Sequence, residues 1–303
     1  MDDTILVASD LTKVIGKRTI VDSISFEVNR GEIFGFLGPN GAGKTTTIRM
    51  LVGLIKPSRG SVTINGYDIE TRFEDAMRHV GCIVETPDLY EFMSGRENLD
   101  HFARMIGEIG PEEIERAAAV TLMSHRLEEK VKTYSLGMRQ RLGIAVALLG
   151  RPDLLILDEP ANGLDPVGIR EMRSLLRRLA SEENVGILVS SHQLSEVQLV
   201  ADRVGIIHHG QLSRIGTVSE LIASQSRMRL RVSDSESAAG IACKLGLDPV
   251  LDQEAVTVAT SDEETPGLIR ELAEAGVDVY EATLALPSLE DLFLEVTGGE
   301  TVE

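Results

Sequence analysis

The sequence predicts an α/β protein with a mostly parallel core sheet, an antiparallel β subdomain, a helical insertion and a small C-terminal α+β domain. Short β-rich segments (ILVAS, ISFEV, EIFGFL and SVTING) fill residues 4 to 80. Between residues 154 and 207, apolar strands (LLIL, VGILVS and RVGII) alternate with a helix of about 14 residues that begins near Pro166. Such alternation is expected of parallel strands joined by crossover helices.

Two domains are predicted, residues 1–224 and residues 225–303. Within the first, residues 88–150 form the helical insertion, because apolar residues recur at helical spacing around Leu99 and again from Pro111 to Met123. In the second, RMRLRV, AVTVA and VDVYEA read as strands, whereas TPGLIRELAEAG and PSLEDLFLEV read as helices. This domain carries 17 acidic and 5 basic residues. No internal repeat of the first domain is visible, so we expect one copy of any site that it carries.

The composition excludes several classes of protein. The chain has 303 residues, 43% of them apolar, and its apolar stretches are far shorter than the roughly 18 to 20 residues that cross a bilayer. The first ten residues lack the basic and apolar regions of a secretory signal, so we expect a cytosolic protein. A net charge of −18 repels nucleic acid, and we predict no nucleic-acid partner.

Two cysteines, Cys82 and Cys243, are far apart in the chain and have no further Cys or His partners at metal-ligand spacing. Neither a disulfide framework nor a zinc site is predicted. Both are expected to be buried as small hydrophobic side chains.

A glycine-rich motif between a strand (IFGFL) and a helix (TTIRMLVGL) predicts a phosphate-binding P-loop. Its pattern G-x-x-x-x-G-K-[ST] is filled by Gly38, Pro39, Asn40, Gly41, Ala42, Gly43, Lys44 and Thr45. The glycines let backbone N–H groups converge on a phosphate, the lysine reaches the β- and γ-phosphates, and the Thr45 hydroxyl is a Mg²⁺ ligand. Thr46 stands where a dinucleotide motif requires a third glycine, which excludes that reading. We count Thr46 among the nucleotide-binding residues, with ATP and Mg²⁺ as the expected ligands.

Two carboxylates follow the apolar strand LLIL. Asp158 and Glu159 lie at its C-terminal end, where open α/β sheets bind ligands. We expect Asp158 to hold the Mg²⁺ shell and Glu159 to orient or deprotonate the water that attacks the γ-phosphate. A third strand, VGILVSS, ends at His192, for which spacing alone leaves two readings open, a γ-phosphate contact or a capping and packing role.

Further motifs carry a family resemblance. YSLGMRQR (residues 134–141) lies before Asp158, PANGLD (160–165) follows Glu159, and Ser190 and Ser191 precede His192. Together with the P-loop, this ordered set resembles the ATP-binding subunits of ABC transporters over residues 4 to 222. The resemblance assigns His192 a γ-phosphate role and Asp165 to the loop that the family calls the D-loop.

The resemblance also implies a head-to-tail dimer of two copies with two ATP molecules between them. Ser135 and Gly137 of the signature motif would contact the ATP bound to the other copy. Leu136 and Met138 replace the Gly and Gln that are commonest in this motif, so the predicted trans contact comprises residues 135–138. Ser135 is also a good N-cap for the helix that follows, and a helix N-terminus favours an anion.

Two other positions depart from the usual family pattern. Glu85 stands where a Gln usually senses the γ-phosphate and couples to the membrane subunit, and it is counted as a possible Mg²⁺ ligand. Val14 or Ile15 replaces the aromatic residue that usually stacks on adenine, and Ile15 is the residue we expect to contact the base without ring stacking.

Glu85, the SLGM signature and the appended C-terminal domain are similar to the bacitracin-resistance and lantibiotic-immunity branch of drug exporters. This resemblance implies an ATPase that powers a separate multi-pass permease from the cytoplasmic face of the membrane. A soluble ABC ATPase of DNA repair, ribosome rescue or cluster assembly is the alternative. The second cassette of ribosome-acting members and the long coiled coil of repair members are both missing. A regulatory module without turnover would require the loss of Glu159 or His192, and both are present.

Overall fold

A computed structural model describes residues 3–107, 109–223, 227–252, 255–260, 264–285 and 289–296. The chain forms two compact units, one ending at Gly216 and the other beginning at Thr217. The division falls before the predicted boundary at residue 224, because the helix Val218–Ala223 packs against the helix Leu289–Val296 of the second unit.

The first unit contains an antiparallel sheet. Its strands are β1 (Thr4–Ile15), β2 (Arg18–Asn29), β4 (Arg59–Ile64) and β5 (Tyr67–Asp68). They lie in the order β2-β1-β4-β5, and β1 pairs antiparallel with both β2 and β4. The predicted antiparallel β subdomain is therefore confirmed.

A six-stranded sheet forms the core of the first unit. Its strands are β3 (Ile33–Leu37), β6 (Val80–Ile83), β7 (Leu154–Asp158), β8 (Gly186–Ser191), β9 (Arg203–His208) and β10 (Gln211–Thr217). Their order is β10-β9-β3-β8-β7-β6, with β3 parallel to β8 and β9, and β7 parallel to β6 and β8. The carboxyl ends of β3, β7 and β8 consequently share one edge, where such sheets bind ligands.

The helices of the first unit are α1 (Lys44–Leu51), α2 (Phe73–Met77), α3 (Gly95–Ile106), α4 (Pro111–Val120), α5 (Leu136–Ala147), α6 (Pro166–Glu183) and α7 (Leu194–Gln198). Helices α3, α4 and α5 pack on one another and form the helical insertion. A capping box fixes the start of α3, because Ser94 and Glu97 each accept the other's backbone N–H. Helix α6 is four residues longer than predicted, running from the Asp165 cap for 18 residues to the left-handed Asn184.

Three stacked aromatic rings join the two sheets of the first unit. Phe26 on β2 lies 5.4 Å from both Phe34 and Phe36 on β3, measured between ring centroids. All three side chains are buried, and aromatic pairs add about 0.5–1.5 kcal/mol to the free energy that burial contributes. This contact holds the antiparallel sheet against the strand that carries the P-loop.

The second unit has its own sheet and core. Its elements are α8 (Val218–Ala223), β11 (Arg227–Val232), α9 (Ser235–Lys244), β12 (Pro249–Asp252), β13 (Ala255–Ala259), α10 (Thr265–Glu274), β14 (Val279–Ala285) and α11 (Leu289–Val296). The sheet is antiparallel with the order β12-β13-β11-β14. Alternate residues of β11 are buried, as the pattern RMRLRV predicts. Helix α9 and strand β12 were not predicted.

The two cysteines correct one sequence prediction. Cys82 and Cys243 are free thiols, and both are exposed instead of buried. Cys82 lies on β6, the edge strand of the core sheet, between the buried residues Gly81 and Ile83. Because successive side chains of a strand point to opposite faces of the sheet, the Cys82 side chain lies on the face opposite to that of Ile83.

A polar network ties the antiparallel sheet to the amino-terminal ends of β6 and β7. Asp153 accepts hydrogen bonds from Arg30 and from the ring Nδ1 of His79 at 2.5 Å. Arg30 also donates to Asn65 at 2.9 Å, and Asn65 contacts the His79 ring at 3.1 Å. Burial alone would raise the pKa of Asp153, but the hydrogen bonds from Arg30 and His79 hold it below its ordinary value.

We expect Asp153→Asn to lower the free energy of unfolding at pH 7 by about 1–2 kcal/mol, since charge-assisted hydrogen bonds are lost in a partly exposed site. A depressed carboxyl pKa stabilises the fold above the unfolded value of about 3.9, and this contribution disappears as the pH falls through the folded value. Urea unfolding at pH 7 and pH 3 tests this. A difference between the two proteins that is equally large at pH 3 would contradict the assignment.

Candidate nucleotide-binding and hydrolysis site

The P-loop follows the fully buried strand β3 and leads directly into α1. Gly38 admits no side chain, because a Cβ there would lie 2.4 Å from the carbonyl oxygen of Ile207. Gly43 has a φ of 109° immediately before the first residue of α1, a conformation that favours glycine. The sequence motif thus forms the expected loop from Gly38 to Thr45, and Thr46 lies in the first turn of the helix.

Lys44 is buried inside this loop, with 6% of its surface exposed. Its Nζ donates to the Gly38 carbonyl at 2.7 Å and to the Pro39 carbonyl at 3.3 Å, and it lies 3.4 Å from Oε1 of Glu159. Two carbonyl groups of the P-loop therefore hold the ammonium group inside the loop. Ala42 closes the turn by donating its backbone N–H to Pro39.

The carboxyl end of β7 supplies the first acidic residue of the site. Asp158 is 2% exposed, and its Oδ2 accepts a hydrogen bond from the Thr45 hydroxyl at 2.9 Å. Its Oδ1 accepts a hydrogen bond from Ser190 Oγ at 2.5 Å. Three elements that are distant in the chain, α1, β7 and β8, meet at this carboxylate.

Glu159 takes a left-handed backbone conformation with a φ of 51°. Such a conformation is costly for a non-glycine residue and tends to occur at functional sites. The backbone N–H of Glu159 donates to the carbonyl and to the hydroxyl of Ser190, which fixes the turn. The side chain leaves the strand toward Lys44 on one side and His192 on the other, where Nδ1 lies 2.8 Å from Oε2.

The donor set at Thr45 and Asp158 fits Mg²⁺. A hydroxyl and a carboxylate oxygen are hard ligands, and Mg²⁺ usually takes one or two protein oxygens together with substrate phosphates and water. The two side chains already touch at 2.9 Å. Two of the three residues that the sequence predicts for the metal, Thr45 and Asp158, are thus in contact.

Glu85 makes a different contact. Its carboxylate pairs with Arg49 on α1 at 2.5 Å, and both side chains are largely exposed, 61% and 43% respectively. Glu85 also has a left-handed backbone with a φ of 69°. Its approach to the metal and its coupling role stay predictions.

The signature residues form the start of α5. Ser135 caps the helix, and its side chain accepts the backbone N–H of Met138 at 3.3 Å. Ser135 and Leu136 are exposed, whereas Gly137 and Met138 are half-buried. The helix N-terminus is therefore accessible from solvent, as a contact to another molecule requires.

Two further predicted residues lie on exposed turns. Ile15 is 55% exposed and ends β1 at the hairpin to β2, next to Val14, which is 42% exposed. Asp165 caps α6 by accepting the backbone N–H of Gly168 at 2.9 Å. Their roles toward adenine and toward a second copy stay predictions.

Sequence reasoning gave no role to two residues that the structure places at the site. Ser190 contacts both Asp158 and Glu159, and Arg49 pairs with Glu85. The signal for Ser190 was present, since it lies near the end of the same strand that positions His192. Nothing in the sequence marks Arg49, because its partner comes from a different element.

Comparison with known proteins identifies the family. A model described as "ABC transporter" matches residues 21–162. The uncharacterized ABC transporter ATP-binding protein YhcH of Bacillus subtilis (strain 168) is 46% identical over 301 residues, covering 99% of this chain and 98% of YhcH. The bacitracin transport ATP-binding protein BcrA of Bacillus licheniformis is 42% identical over 303 residues, covering 99% of both chains.

A solved structure of an ATP-binding subunit of an ABC transporter superposes with a TM-score of 0.64 at 33% identity, over 72% of this chain and 91% of that one. No helix in the described part of the chain is long and apolar enough to cross a membrane. The predicted fold and the resemblance to the bacitracin branch are thereby confirmed. The chain belongs to the ABC transporter family, as an ATP-binding subunit that hydrolyses ATP.

Proposed function

We propose that this subunit works at the cytoplasmic face of the cell membrane as a head-to-tail dimer that powers a separate multi-pass permease. The exported molecule is a peptide antibiotic, another drug or a lipid. The observation that carries the hydrolytic part is the chain of contacts from Lys44 through Glu159 to His192 at the carboxyl edge of the core sheet. The similarity to BcrA, whose name assigns it to bacitracin transport, supports export.

In this proposal Glu159 orients the attacking water and accepts its proton. His192, whose Nδ1 lies 2.8 Å from that carboxylate, contacts the γ-phosphate. Lys44 gives up its carbonyl partners and binds the β- and γ-phosphates of ATP. Thr45 and Asp158 hold Mg²⁺, which when bound neutralises charge on the phosphates. The contacts of Thr45 with Asp158 and of Glu159 with His192 hold these side chains at one edge of the sheet, which favours a preorganised site.

The second copy completes the site. Ser135 and Leu136 expose the N-terminus of the 12-residue helix α5, where free backbone N–H groups and the helix dipole favour an anion. We propose that this terminus, with residues 135–138, binds the γ-phosphate of ATP held by the other subunit. The turn that leads into Asp165 lies next to this helix terminus, because Leu136 Cδ2 lies against Gly163. Asp165 is exposed there.

The surface for the permease lies on the helical insertion. We define the aromatic patch as Tyr90, Phe92, His101 and Phe102. Tyr90 lies 5.9 Å from Phe92, 4.9 Å from His101 and 6.2 Å from Phe102 between ring centroids. Phe92 is 66% exposed, and exposed clusters of this kind mark protein-binding surfaces.

The loop that carries Glu85 connects this patch to the signature helix. Pro87 packs against Gly143 of α5, and Tyr90 begins the aromatic patch only three residues later. A permease that moves the patch therefore displaces both Glu85 and the helix that starts at Ser135. We propose that the transport stroke and nucleotide closure are coupled through this loop.

We expect Phe92→Asp to leave the ATPase activity of the purified subunit unchanged and to abolish transport in the host, because a charge in a desolvated interface prevents docking of the permease. The measurement is the resistance of the host to bacitracin-type antibiotics, together with the ATPase rate of the isolated subunit.

Leu199→Asp is the matched control, because Leu199 is 65% exposed but lies outside the aromatic patch. It should leave resistance intact. In a host whose resistance is lost when this subunit is deleted, unchanged resistance in the Phe92→Asp strain would show that the permease docks elsewhere.

A further inference from the structure

A buried amide on α5 lacks part of its hydrogen bonding. Gln140 is 4% exposed, and its Oε1 accepts no hydrogen bond within the part of the chain that the structure describes. A buried acceptor without a donor costs about 1–3 kcal/mol, and such groups are few in native proteins.

The face of α5 that carries Gln140 rests on β6 and on the loop after it. Residues 140, 143 and 147 share one face of the helix. A Cβ on Gly143 would lie 2.5 Å from Pro87, and a Cβ on Gly81 would lie 2.3 Å from the Ala147 carbonyl. The backbones of α5 and β6 are therefore in direct contact.

The direction of β6 carries the chain toward the end of α5 where Gln140 lies. Gly81 lies at the level of Ala147, and Ile83 lies at the level of Gly143, so the strand runs toward the N-terminal end of α5. Gln140 is about 4.5 Å further in that direction, and helical side chains lean toward the helix N-terminus. The chain after Ile83 therefore leads toward Gln140 before Pro87 returns to Gly143.

The loop after β6, residues 84–90, makes side-chain contacts near both of its ends. At one end the fully buried Asn98 accepts the Tyr90 N–H at 2.8 Å and donates to the Tyr90 carbonyl at 3.1 Å. Near the other end the Glu85 carboxylate pairs with Arg49, and the Glu85 backbone is left-handed, which costs about 1–3 kcal/mol. An exposed ion pair contributes only about 0–1 kcal/mol, so the contact that holds Glu85 in this conformation is weak.

We propose that Gln140 is a positioning residue that couples the signature helix to Glu85. Its Oε1 accepts a backbone N–H of Glu85 or Thr86 once nucleotide draws Glu85 away from Arg49. The position of the Glu85 carboxylate then depends on the helix that begins at Ser135. This inference rests on the proposed function, in which nucleotide moves both parts.

The test is Gln140→Met, which keeps the volume and removes the acceptor. Without nucleotide, the variant unfolds at the same temperature as the parent or higher, because the unpaired acceptor is gone. The second readout is amide hydrogen exchange of residues 84–89 with and without Mg-ATP, in a Glu159→Gln background that retains ATP. The parent should slow its exchange about fivefold on adding Mg-ATP, as one hydrogen bond of about 1 kcal/mol implies. Gln140→Met should lose this protection.

Thr121→Val is the matched control. Thr121 is also fully buried, and its hydroxyl donates to the Ala117 carbonyl at the end of α4. This variant should keep the nucleotide-dependent protection of residues 84–89. Parental protection in Gln140→Met overturns the inference and leaves the proposed function standing. If Mg-ATP changes neither the exchange of this loop nor the dimerisation of the parent protein, both the inference and the proposed function are overturned.

Discussion

Glu159→Gln is expected to reduce ATP hydrolysis by about 10²- to 10⁴-fold, the usual contribution of a general base. The amide matches the carboxylate in size but cannot take the proton of the attacking water. The backbone N–H of residue 159 still donates to Ser190, so the turn at the end of β7 should persist. Binding of ATP is expected to survive, because the variant also removes the anion that lies 3.4 Å from Lys44.

Blocked hydrolysis with intact binding should trap the ATP-bound dimer. Gel filtration with Mg-ATP measures the dimer, and phosphate release measures the rate. Glu182→Gln serves as the control, since Glu182 is an exposed carboxylate on α6 away from the site. Wild-type turnover in Glu159→Gln would remove Glu159 from the role of base.

Lys44→Ala is expected to abolish ATP binding in the micromolar range. Truncating one partner of a buried charge pair costs about 2–5 kcal/mol, which corresponds to a roughly 30- to 4,000-fold loss of affinity. The loss is expected at this lysine because its ammonium is the buried cation of the P-loop, surrounded by carbonyl oxygens that cannot bind a phosphate.

Calorimetric titration with ATP measures the effect. Lys56→Ala is the matched control, because Lys56 is 74% exposed and pairs with Glu70 on the surface. Undiminished affinity in Lys44→Ala, with Lys56→Ala also normal, would contradict the assignment of the phosphate cradle.

The parts of the site that lie at strand ends were predictable from the sequence. Asp158 ends one buried parallel strand and His192 follows another. The carboxyl ends of such strands meet at one edge of the sheet. The P-loop was equally predictable, because glycines at the positions of Gly38 and Gly43 are required by close backbone contacts that any fold of this motif must make.

Contacts between side chains of different elements could not be predicted from the sequence. The Arg49–Glu85 pair depends on how α1 approaches the end of β6, and no periodicity encodes that approach. The prediction that Cys82 is buried was wrong, because the sequence did not reveal that β6 is an edge strand with one exposed face. The unpaired acceptor of Gln140 appears only once α5 is packed on the loop after β6.

The second unit was predicted in outline and missed in detail. Alternation in RMRLRV and AVTVA was sufficient for β11 and β13. Helix α9 was missed because its sequence, SESAAGIACK, has small residues in place of a strong apolar stripe, and only its alanines are buried. The division at Gly216 depends on the packing of α8 on α11, a long-range contact.

The most direct test of the proposal is affinity purification of tagged Glu159→Gln protein from detergent-solubilised host membranes with Mg-ATP, followed by mass spectrometry. The account predicts that a multi-pass membrane protein co-elutes in stoichiometric amount with the tagged protein in the presence of Mg-ATP. The same membrane protein should be absent from the eluate of the Glu159→Gln, Phe92→Asp double variant. Recovery of only soluble partners would contradict the role as a transport motor and would favour a soluble ABC ATPase with the same nucleotide chemistry.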